Sequence, residues 1–292
     1  MKKIFKILGI LILFLIILGV ALGFYMYSTN PMIKAVVDND ESKLFYFPVK
    51  EVEGLSEFNY EEIPLNVEDS ITIYAYFFHP EAKSVKGTIF FLHGSGGNVG
   101  RYAAMIQPLI DYGFQVYTLD WRGFGKSNGK PLHANVLEDT KTAFKEMMNR
   151  KEVENTKIVV FGQSLGGQVA VRLTKELEGS VDALVLDGSI ASFPSLAADF
   201  APIEFLRKRA ESNPDDFNQP YIAAEDIKEI ENTPKLIIQS ADDRTVTPQR
   251  GQLLFDNALE PKDFWLTEGD HISTLVNYPE EVNQRIENLL KQ

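Results

Sequence analysis

Apolar and polar residues alternate along this chain in patterns that predict its elements. Residues 7 to 27 form a run without a charge, and about 20 apolar residues in a helix are enough to span the hydrocarbon core of a bilayer. Further along, short apolar runs rich in β-branched and aromatic residues predict buried strands. Stretches with helical spacing of apolar residues lie between them. This alternation predicts a mainly parallel sheet covered by helices on both faces.

The predicted strands and helices follow one another in a regular order. The strands are predicted at Ile71–Phe78, Gly87–His93, Phe114–Asp120, Ile158–Gly162, Val181–Asp187, Lys235–Ser240 and Asp263–Thr267. Helices are predicted at about 101–112, 135–149, 249–257 and 279–291, with one more that follows the fourth strand up to Glu178. In sheets of this kind ligands bind beyond the carboxyl ends of the strands. We therefore look for functional residues in the loops that leave those ends.

The N-terminal segment 1–27 is predicted to be a transmembrane anchor. The opening MKKIFK carries three lysines, which should keep the N-terminus in the cytoplasm and send the rest of the chain outward. A cleaved signal sequence is the alternative, since Ala21-Leu22-Gly23 resembles a small-x-small cleavage site. The apolar run is longer than a signal sequence needs, and Tyr25 and Tyr27 lie where an interfacial aromatic belt would. We therefore expect a membrane-anchored protein whose catalytic domain is extracytoplasmic.

Composition excludes several function classes. The chain has 292 residues, 45% of them hydrophobic, and no cysteine, so one large domain is expected and disulfides or thiolate chemistry are excluded. The net charge is −12, and three of the positive charges belong to the N-terminal lysines, which leaves −15 on the remainder. An acidic domain repels nucleic acid and anionic headgroups. We expect no nucleic-acid partner, and the membrane is reached through the N-terminal helix.

The stretch KIVVFGQSLGG contains the strongest chemical motif. It places Gly162-Gln163-Ser164-Leu165-Gly166 between a predicted strand and a predicted helix. The pattern G-x-S-x-G in that context is typical of a nucleophile elbow, a turn so sharp that its serine needs small neighbours. The alternative is a glycine-rich turn with an idle serine, so the rest of the chain must decide.

Two glycine-containing loops precede this elbow. Residues 93 to 98 read HGSGGN, and glycines there allow backbone N–H groups to turn into the site, as an oxyanion hole requires. Residues 120 to 127 read DWRGFGKS, which resembles a P-loop. Asp120 occupies the position of the first glycine, and Asn128-Gly129-Lys130-Pro131 follows where a helix should start. A nucleotide site is therefore not predicted.

Two loops after the elbow carry a candidate acid and a candidate base. SADDRTVTP (240–248) offers the adjacent carboxylates of Asp242 and Asp243 at a strand end, and EGDHI (268–272) offers His271. The other three histidines precede the serine. Because α/β-hydrolases place their residues in the chain order serine, acid, histidine, His271 is the expected base. A surface histidine without a role is the alternative.

Together these motifs resemble the α/β-hydrolase family. The motifs are GQSLGG, HGSGGN, DWRGFGKSNG, DRTVTP and GDH. The resemblance covers about residues 60 to 290. It is strongest to the compact, membrane-anchored branch of the family, which includes ABHD-type and serine-aminopeptidase-like proteins. The resemblance implies an α/β-hydrolase fold, a triad of Ser164, Asp243 and His271, and an oxyanion hole formed by the N–H groups of Ser95 and Leu165. It implies neither a metal nor an organic cofactor. Two positions depart from the family pattern, and these are Trp121 and Ser240.

The predicted function is hydrolysis of an acyl ester or related acyl bond of a small-molecule substrate. Esterase, thioesterase, peptidase and acyltransferase share this machinery, and a non-catalytic binding protein of the same fold is the alternative from another class. We expect an anchor at 1–27, a linker and lead-in at 28–60, and a hydrolase domain at 61–292 with a small lid at about 188–233. The apolar residues of the lid are Phe193, Leu196, Phe200, Ile203, Phe205 and Leu206. Some of them could line an acyl pocket, and the rest should pack on the sheet.

Overall fold

The structure is a computed structural model that describes residues 2–82, 84–201 and 204–292. These residues form two units, one up to Tyr46 and the other Phe47–Gln292. The first unit contains helices α1 (Lys2–Thr29), α2 (Pro31–Val37) and α3 (Glu41–Leu44). Helix α1 is long and apolar enough to cross a membrane, and its apolar side chains are exposed. The predicted linker at 28–60 thus contains two helices, and its last part belongs to the second unit.

The centre of the second unit is a mixed sheet that is mainly parallel. Within the described residues it has eight strands: β2 (Tyr60–Glu68), β3 (Ile71–Phe78), β4 (Thr88–Leu92), β6 (Gln115–Asp120), β7 (Ile158–Gln163), β8 (Ala183–Asp187), β9 (Lys235–Ser240) and β10 (Lys262–Thr267). Their order is β10-β9-β8-β7-β4-β6-β3-β2. Neighbours from β10 to β6 are parallel, while β3 is antiparallel to both β6 and β2. Two short segments, β1 (Phe47–Pro48) and β5 (Gly96–Gly97), pair in parallel beside it.

Helices cover both faces of this sheet, as the sequence predicts. They are α4 (Val99–Tyr112), α5 (His133–Met148), α6 (Leu165–Glu176), α7 (Phe193–Asp199), α8 (Glu204–Ser212), α9 (Ala223–Asp226), α10 (Pro248–Asn257), α11 (Thr274–Asn277) and α12 (Pro279–Leu289). Adjacent residues of a strand point to opposite faces. On β4, Phe90 contacts Phe144 of α5, whereas Phe91 contacts Tyr102 of α4. The two rings therefore belong to cores on opposite sides of the sheet.

The sequence-based prediction missed strand β2. Its residues YEEIPLNVE are mostly polar and include Pro64, which has no N–H to donate. Such a strand is tolerated at the edge of a sheet, and β2 has only β3 as a neighbour. Because β2 buries little, its sequence lacks the apolar run that identified the central strands.

Between β8 and β9 the chain forms the region predicted as a lid. It contains α7, α8 and α9. Phe193 and Leu196 are buried, whereas Phe200, Phe205 and Leu206 are exposed. Ile203 lies outside the described residues. The apolar members of the lid thus divide between packing and exposure.

Candidate active site

Ser164 lies at a sharp turn between β7 and α6. Its backbone has φ 54° and ψ −120°, a left-handed conformation that non-glycine residues rarely adopt and that costs about 1–3 kcal/mol. Hydrogen bonds hold the turn from both sides, because the Ser164 N–H donates to the Asp187 carbonyl at 3.0 Å and the Ser164 carbonyl accepts from Ile190 N–H at 3.2 Å. The strain and its support are the features expected of a nucleophile elbow.

The glycines of the elbow allow close backbone packing. A side-chain Cβ at Gly166 would lie 2.2 Å from the Leu92 carbonyl oxygen, and one at Gly162 would lie 2.5 Å from the Gly166 carbonyl oxygen. These distances are far below van der Waals contact, so any larger residue would displace the elbow from β4. The small neighbours predicted around Ser164 therefore have a steric cause.

Three side chains from three separate loops meet at this turn. The Ser164 Oγ lies 2.9 Å from Nε2 of His271, and Nδ1 of His271 lies 2.6 Å from Oδ2 of Asp243. Ser164 and Asp243 are buried, and His271 is only slightly exposed. A neutral imidazole that donates from Nδ1 to the carboxylate presents Nε2 as an acceptor to the serine hydroxyl. The arrangement is suited to removing the hydroxyl proton.

Asp243, and not Asp242, faces the histidine. The second oxygen of Asp243, Oδ1, accepts hydrogen bonds from the N–H groups of Thr245 at 2.8 Å and Val246 at 2.9 Å. Asp242 is exposed, and its Oδ2 accepts from the Gly269 N–H at 3.2 Å. The sequence pattern at the strand end offered both Asp242 and Asp243 as the acid, and their hydrogen-bond partners distinguish the two.

The predicted oxyanion donors are the N–H groups of Leu165, which follows the serine, and of Ser95. Leu165 is the first residue of α6, where N–H groups have no partner within the helix. Gly94, directly before Ser95, packs against the serine, since a Cβ there would lie 3.4 Å from Ser164 Cβ. Within the described residues neither the Ser95 nor the Leu165 N–H donates to a protein acceptor. Both remain candidates to bind a negatively charged oxygen.

Comparison with known proteins identifies the family of this chain. The family described as "Serine aminopeptidase, S33" matches residues 83–211, a range that includes Ser164 and ends before Asp243 and His271. The protein YfhR of Escherichia coli O157:H7 is 30% identical over 235 residues, which cover 78% of this chain and 79% of YfhR. The chain belongs to the α/β-hydrolase superfamily. Human ABHD12B, 28% identical over 58% of this chain and 49% of its own length, agrees with its assignment to the ABHD type.

The solved structures extend the likeness to the fold. The Pyrococcus furiosus esterase Pf2001 superposes with a TM-score of 0.66 at 22% identity, and the match covers 84% of this chain and 98% of that one. At this identity the likeness shows the fold alone. The α/β-hydrolase fold predicted from the motifs is therefore confirmed.

The other three histidines of this α/β-hydrolase pack against aromatic rings. His93 is buried between Tyr102 and Trp121, and burial lowers its pKa to about 4. His133 stacks on Phe193 at a ring distance of 3.4 Å, and burial lowers its pKa to about 3. His79 packs on Phe77, and burial again lowers its pKa. The histidine chosen by chain order is the one that reaches the serine.

Asp187 is a buried carboxylate that the sequence-based reasoning did not select. Its Oδ2 accepts from Gln163 Nε2 at 2.9 Å, and its Oδ1 accepts from Thr274 Oγ1 at 3.1 Å. Burial raises its pKa to about 6. Because its carbonyl also binds Ser164 N–H, Asp187 links the elbow to the segment that follows His271. Its position at the end of β8 was the available signal.

The two departures from the family pattern have structural partners. Trp121 is buried and donates from Nε1 to Thr140 Oγ1 at 2.9 Å. The Ser240 hydroxyl donates to the Gly269 carbonyl, which ties β9 to the loop that carries His271. Within residues 2–82, 84–201 and 204–292, no three His, Asp or Glu side chains are grouped to hold a metal ion. The expectation that catalysis uses neither metal nor cofactor stays a prediction.

Proposed function

We propose that this protein is a serine hydrolase that cleaves an acyl ester or a related acyl bond. The observation that carries the proposal is the continuous hydrogen-bonded chain from Ser164 Oγ through His271 to Asp243 at a strained elbow. Membership of the α/β-hydrolase superfamily supports a hydrolase in general. The ester specificity and the acyl-enzyme intermediate are our inference.

The reaction begins when His271 Nε2 takes the hydroxyl proton of Ser164 as the oxygen attacks the acyl carbon. The carbonyl oxygen becomes negatively charged and is bound by the N–H groups of Ser95 and Leu165. His271 then gives its proton to the leaving alcohol, and the acyl group stays on Ser164. A water molecule, deprotonated by the same histidine, attacks the acyl carbon and regenerates the serine. Asp243 orients the imidazole and stabilises its charged form.

A fluorophosphonate probe tests the proposal, because it reacts with an activated serine. The full chain should become labelled, and Ser164→Ala should abolish both labelling and turnover while circular dichroism and thermal unfolding stay native. The matched control is Ser180→Ala, since Ser180 is exposed and follows α6 away from the elbow. Near-native turnover in Ser164→Ala would show that the elbow serine is not the nucleophile.

The class of substrate needs a second measurement. A panel of acyl esters, thioesters and aminoacyl amides should give turnover with at least one class, and the preferred class separates esterase from thioesterase and peptidase activity. A folded protein without labelling or turnover on the whole panel would favour the alternative, a binding protein that keeps the fold.

We also infer that α1 anchors the protein in a membrane. The support is its length of 28 residues and its exposed apolar side chains, which match the length and apolarity of a helix that crosses a bilayer. Lys2, Lys3 and Lys6 should retain the N-terminus in the cytoplasm, which leaves the candidate active site outside.

A further inference from the structure

Residues 47–53, which we call the strap, are hydrogen-bonded to the HGSGGN loop that carries a proposed oxyanion donor. The Phe47 N–H donates to the Ser95 carbonyl at 2.8 Å. Two residues further along the strap, the Val49 N–H donates to the Gly97 carbonyl at 3.0 Å. These bonds accompany the parallel pairing of β1 with β5. The strap therefore binds the residue whose N–H is the proposed donor and the second residue after it.

Asn98 fastens the strap to the start of α4. Its side chain is buried, and Nδ2 donates to the carbonyls of Val49 at 3.0 Å and Glu51 at 2.7 Å. Its Oδ1 accepts from the Gly100 N–H at 3.0 Å, which makes Asn98 the N-cap of α4. A Cβ at Gly100 would lie 2.0 Å from the Glu53 carbonyl oxygen, so strap and helix are in close backbone contact. One buried amide thus joins the strap to the last residue of the HGSGGN loop.

The strap is also bound by loop 120–127, whose sequence resembles a P-loop but predicts no nucleotide site. The Gly125 N–H donates to the Val49 carbonyl at 2.9 Å. Lys50 Nζ donates to the Ser127 carbonyl at 2.8 Å. The hydrolase chemistry gives this loop no task, and its contacts supply one. It supports the strap from the side opposite to the HGSGGN loop along the chain of hydrogen bonds.

The HGSGGN loop needs support from outside. Gly97 has φ 89°, which glycine adopts without strain, but glycines also add backbone freedom. An oxyanion donor is effective only if it is fixed before the negative charge develops. On one side of Ser95, the Gly94 N–H donates to the Tyr102 hydroxyl at 3.1 Å. On the other side the strap binds the Ser95 carbonyl, so the donor residue is held between α4 and the strap.

Few apolar side chains hold the strap in place. Phe47 is 50% exposed and Val49 is 45% exposed, whereas Val52 packs against the core. Segments with few buried apolar contacts open more readily than the core of a protein. Release of the strap should therefore change the HGSGGN loop at little cost to the stability of the sheet.

We propose that the strap positions the oxyanion hole, with Phe47, Val49 and Asn98 as positioning residues. While the strap is paired, the Ser95 N–H is held where it binds the negatively charged oxygen of the transition state. When the strap is released, that oxygen loses one of its two hydrogen-bond donors. The strap therefore acts on the transition state and not on binding of the uncharged substrate. This inference rests on the proposed hydrolase activity.

The variant Asn98→Asp in the full chain releases the strap with little change in side-chain shape. The carboxylate keeps the N-cap acceptor and suits a helix N-terminus, but it places a negative oxygen opposite the carbonyls of Val49 and Glu51. For a soluble p-nitrophenyl ester, kcat should fall about 10–100-fold, because loss of a whole oxyanion donor costs about 10²–10³-fold. KM should stay within about threefold, since only transition-state binding is lost.

Asn283→Asp is the matched control. Asn283 is also buried, and its Nδ2 donates to the carbonyls of Pro108 at 3.0 Å and Pro279 at 2.9 Å. The control therefore loses the same kind of bond pair, between α12 and α4. It should lower the free energy of unfolding and leave kcat unchanged. An equal loss of kcat in Asn283→Asp and Asn98→Asp would assign the effect to destabilisation and overturn the proposal.

A second variant reaches the strap by another route. Phe47→Pro removes the N–H that binds the Ser95 carbonyl, because proline has no N–H to donate. It should reduce kcat as Asn98→Asp does, again with little change in KM. Phe47→Ala keeps this N–H and loses only the exposed ring, so it should retain more kcat than Phe47→Pro. Equal kcat in the two Phe47 variants would contradict a role for the N–H.

Amide hydrogen exchange of the full chain in detergent measures release of the strap directly. The amides of Phe47 and Val49 should exchange faster in Asn98→Asp than in the unsubstituted protein, and no faster in Asn283→Asp. Faster exchange with native kcat would overturn the proposal. Loss of kcat without faster exchange would overturn it as well, because the strap would then be in place.

The outcomes separate this proposal from the hydrolase proposal. If the unsubstituted protein neither reacted with the fluorophosphonate probe nor turned over any ester, the hydrolase proposal would fail and this one with it. If the unsubstituted protein were active and Asn98→Asp and Phe47→Pro both kept native kcat, the strap proposal alone would fail.

Discussion

The replacement Asp243→Asn tests the proposed role of the acid most sharply. Asp243 Oδ1 accepts two backbone N–H groups, while Oδ2 accepts the Nδ1–H of His271. An asparagine has one acceptor oxygen, and the two N–H groups of Thr245 and Val246 should retain it. Its NH₂ group then faces His271 Nδ1. The imidazole must present a lone pair there and carry its proton on Nε2, so it cannot accept the proton of Ser164.

The wrong tautomer should reduce kcat by about 10⁴-fold, which corresponds to about 5 kcal/mol of transition-state stabilisation. Asp242→Asn is the matched control, because Asp242 is exposed and its single hydrogen bond from Gly269 N–H can be kept by the asparagine oxygen. We expect a loss below about tenfold there. The assay is kcat and KM for a soluble p-nitrophenyl ester with both variants shown to be folded. Equal or reversed losses would refute the assignment of the acid.

Three further predictions address stability and the membrane. Gly166→Ala should lower the free energy of unfolding by about 1–3 kcal/mol, because the new Cβ would lie 2.2 Å from the Leu92 carbonyl oxygen; urea unfolding measures this, and an unchanged midpoint would contradict it. Burial raises the pKa of Asp120 from 3.8 to about 7, so ionisation of this carboxyl lowers the free energy of unfolding as pH rises through that window. At about pH 8 the free energy of unfolding of Asp120→Asn should exceed that of the unsubstituted protein by up to about 4 kcal/mol, and at about pH 4 this gain should be absent. A difference in unfolding free energy that does not change with pH would refute this. The full chain should stay in the membrane after carbonate washing, and truncation before Ser28 should release an active domain. A soluble processed form starting near Phe24 would instead indicate cleavage.

The parts of the fold that could be predicted are those where burial dictates the sequence. The strand Ile71–Phe78 has the predicted bounds, and β9 begins and ends at the predicted residues Lys235 and Ser240. Central strands are covered on both faces, so their residues must be apolar and the pattern is strong. The edge strand β2 has one neighbour and little burial, and its pattern is correspondingly weak. Its absence from the prediction follows from its position in the sheet.

The candidate site was predictable where chain order and spacing define it. Ser164, Asp243 and His271 are far apart in sequence, but each follows a strand, and parallel strands bring their carboxyl ends together. Asp187 is itself the last residue of a strand, yet no motif distinguishes it from any other acidic residue at a strand end. Its function in linking Gln163 to Thr274 depends on contacts between loops. Such contacts are set by the whole fold and leave no local pattern.

The strain at Ser164 explains why so many backbone contacts converge on the elbow. A positive φ at a serine costs about 1–3 kcal/mol and persists only where the surroundings enforce it. Here the Ser164 N–H and carbonyl bind residues 187 and 190, on both sides of the end of β8, and close packing of Gly166 on β4 prevents the turn from relaxing. The same turn directs the hydroxyl to His271. The contacts that maintain the strain are therefore the contacts that align the proposed nucleophile, so substitutions that relieve the strain should increase stability and reduce activity together.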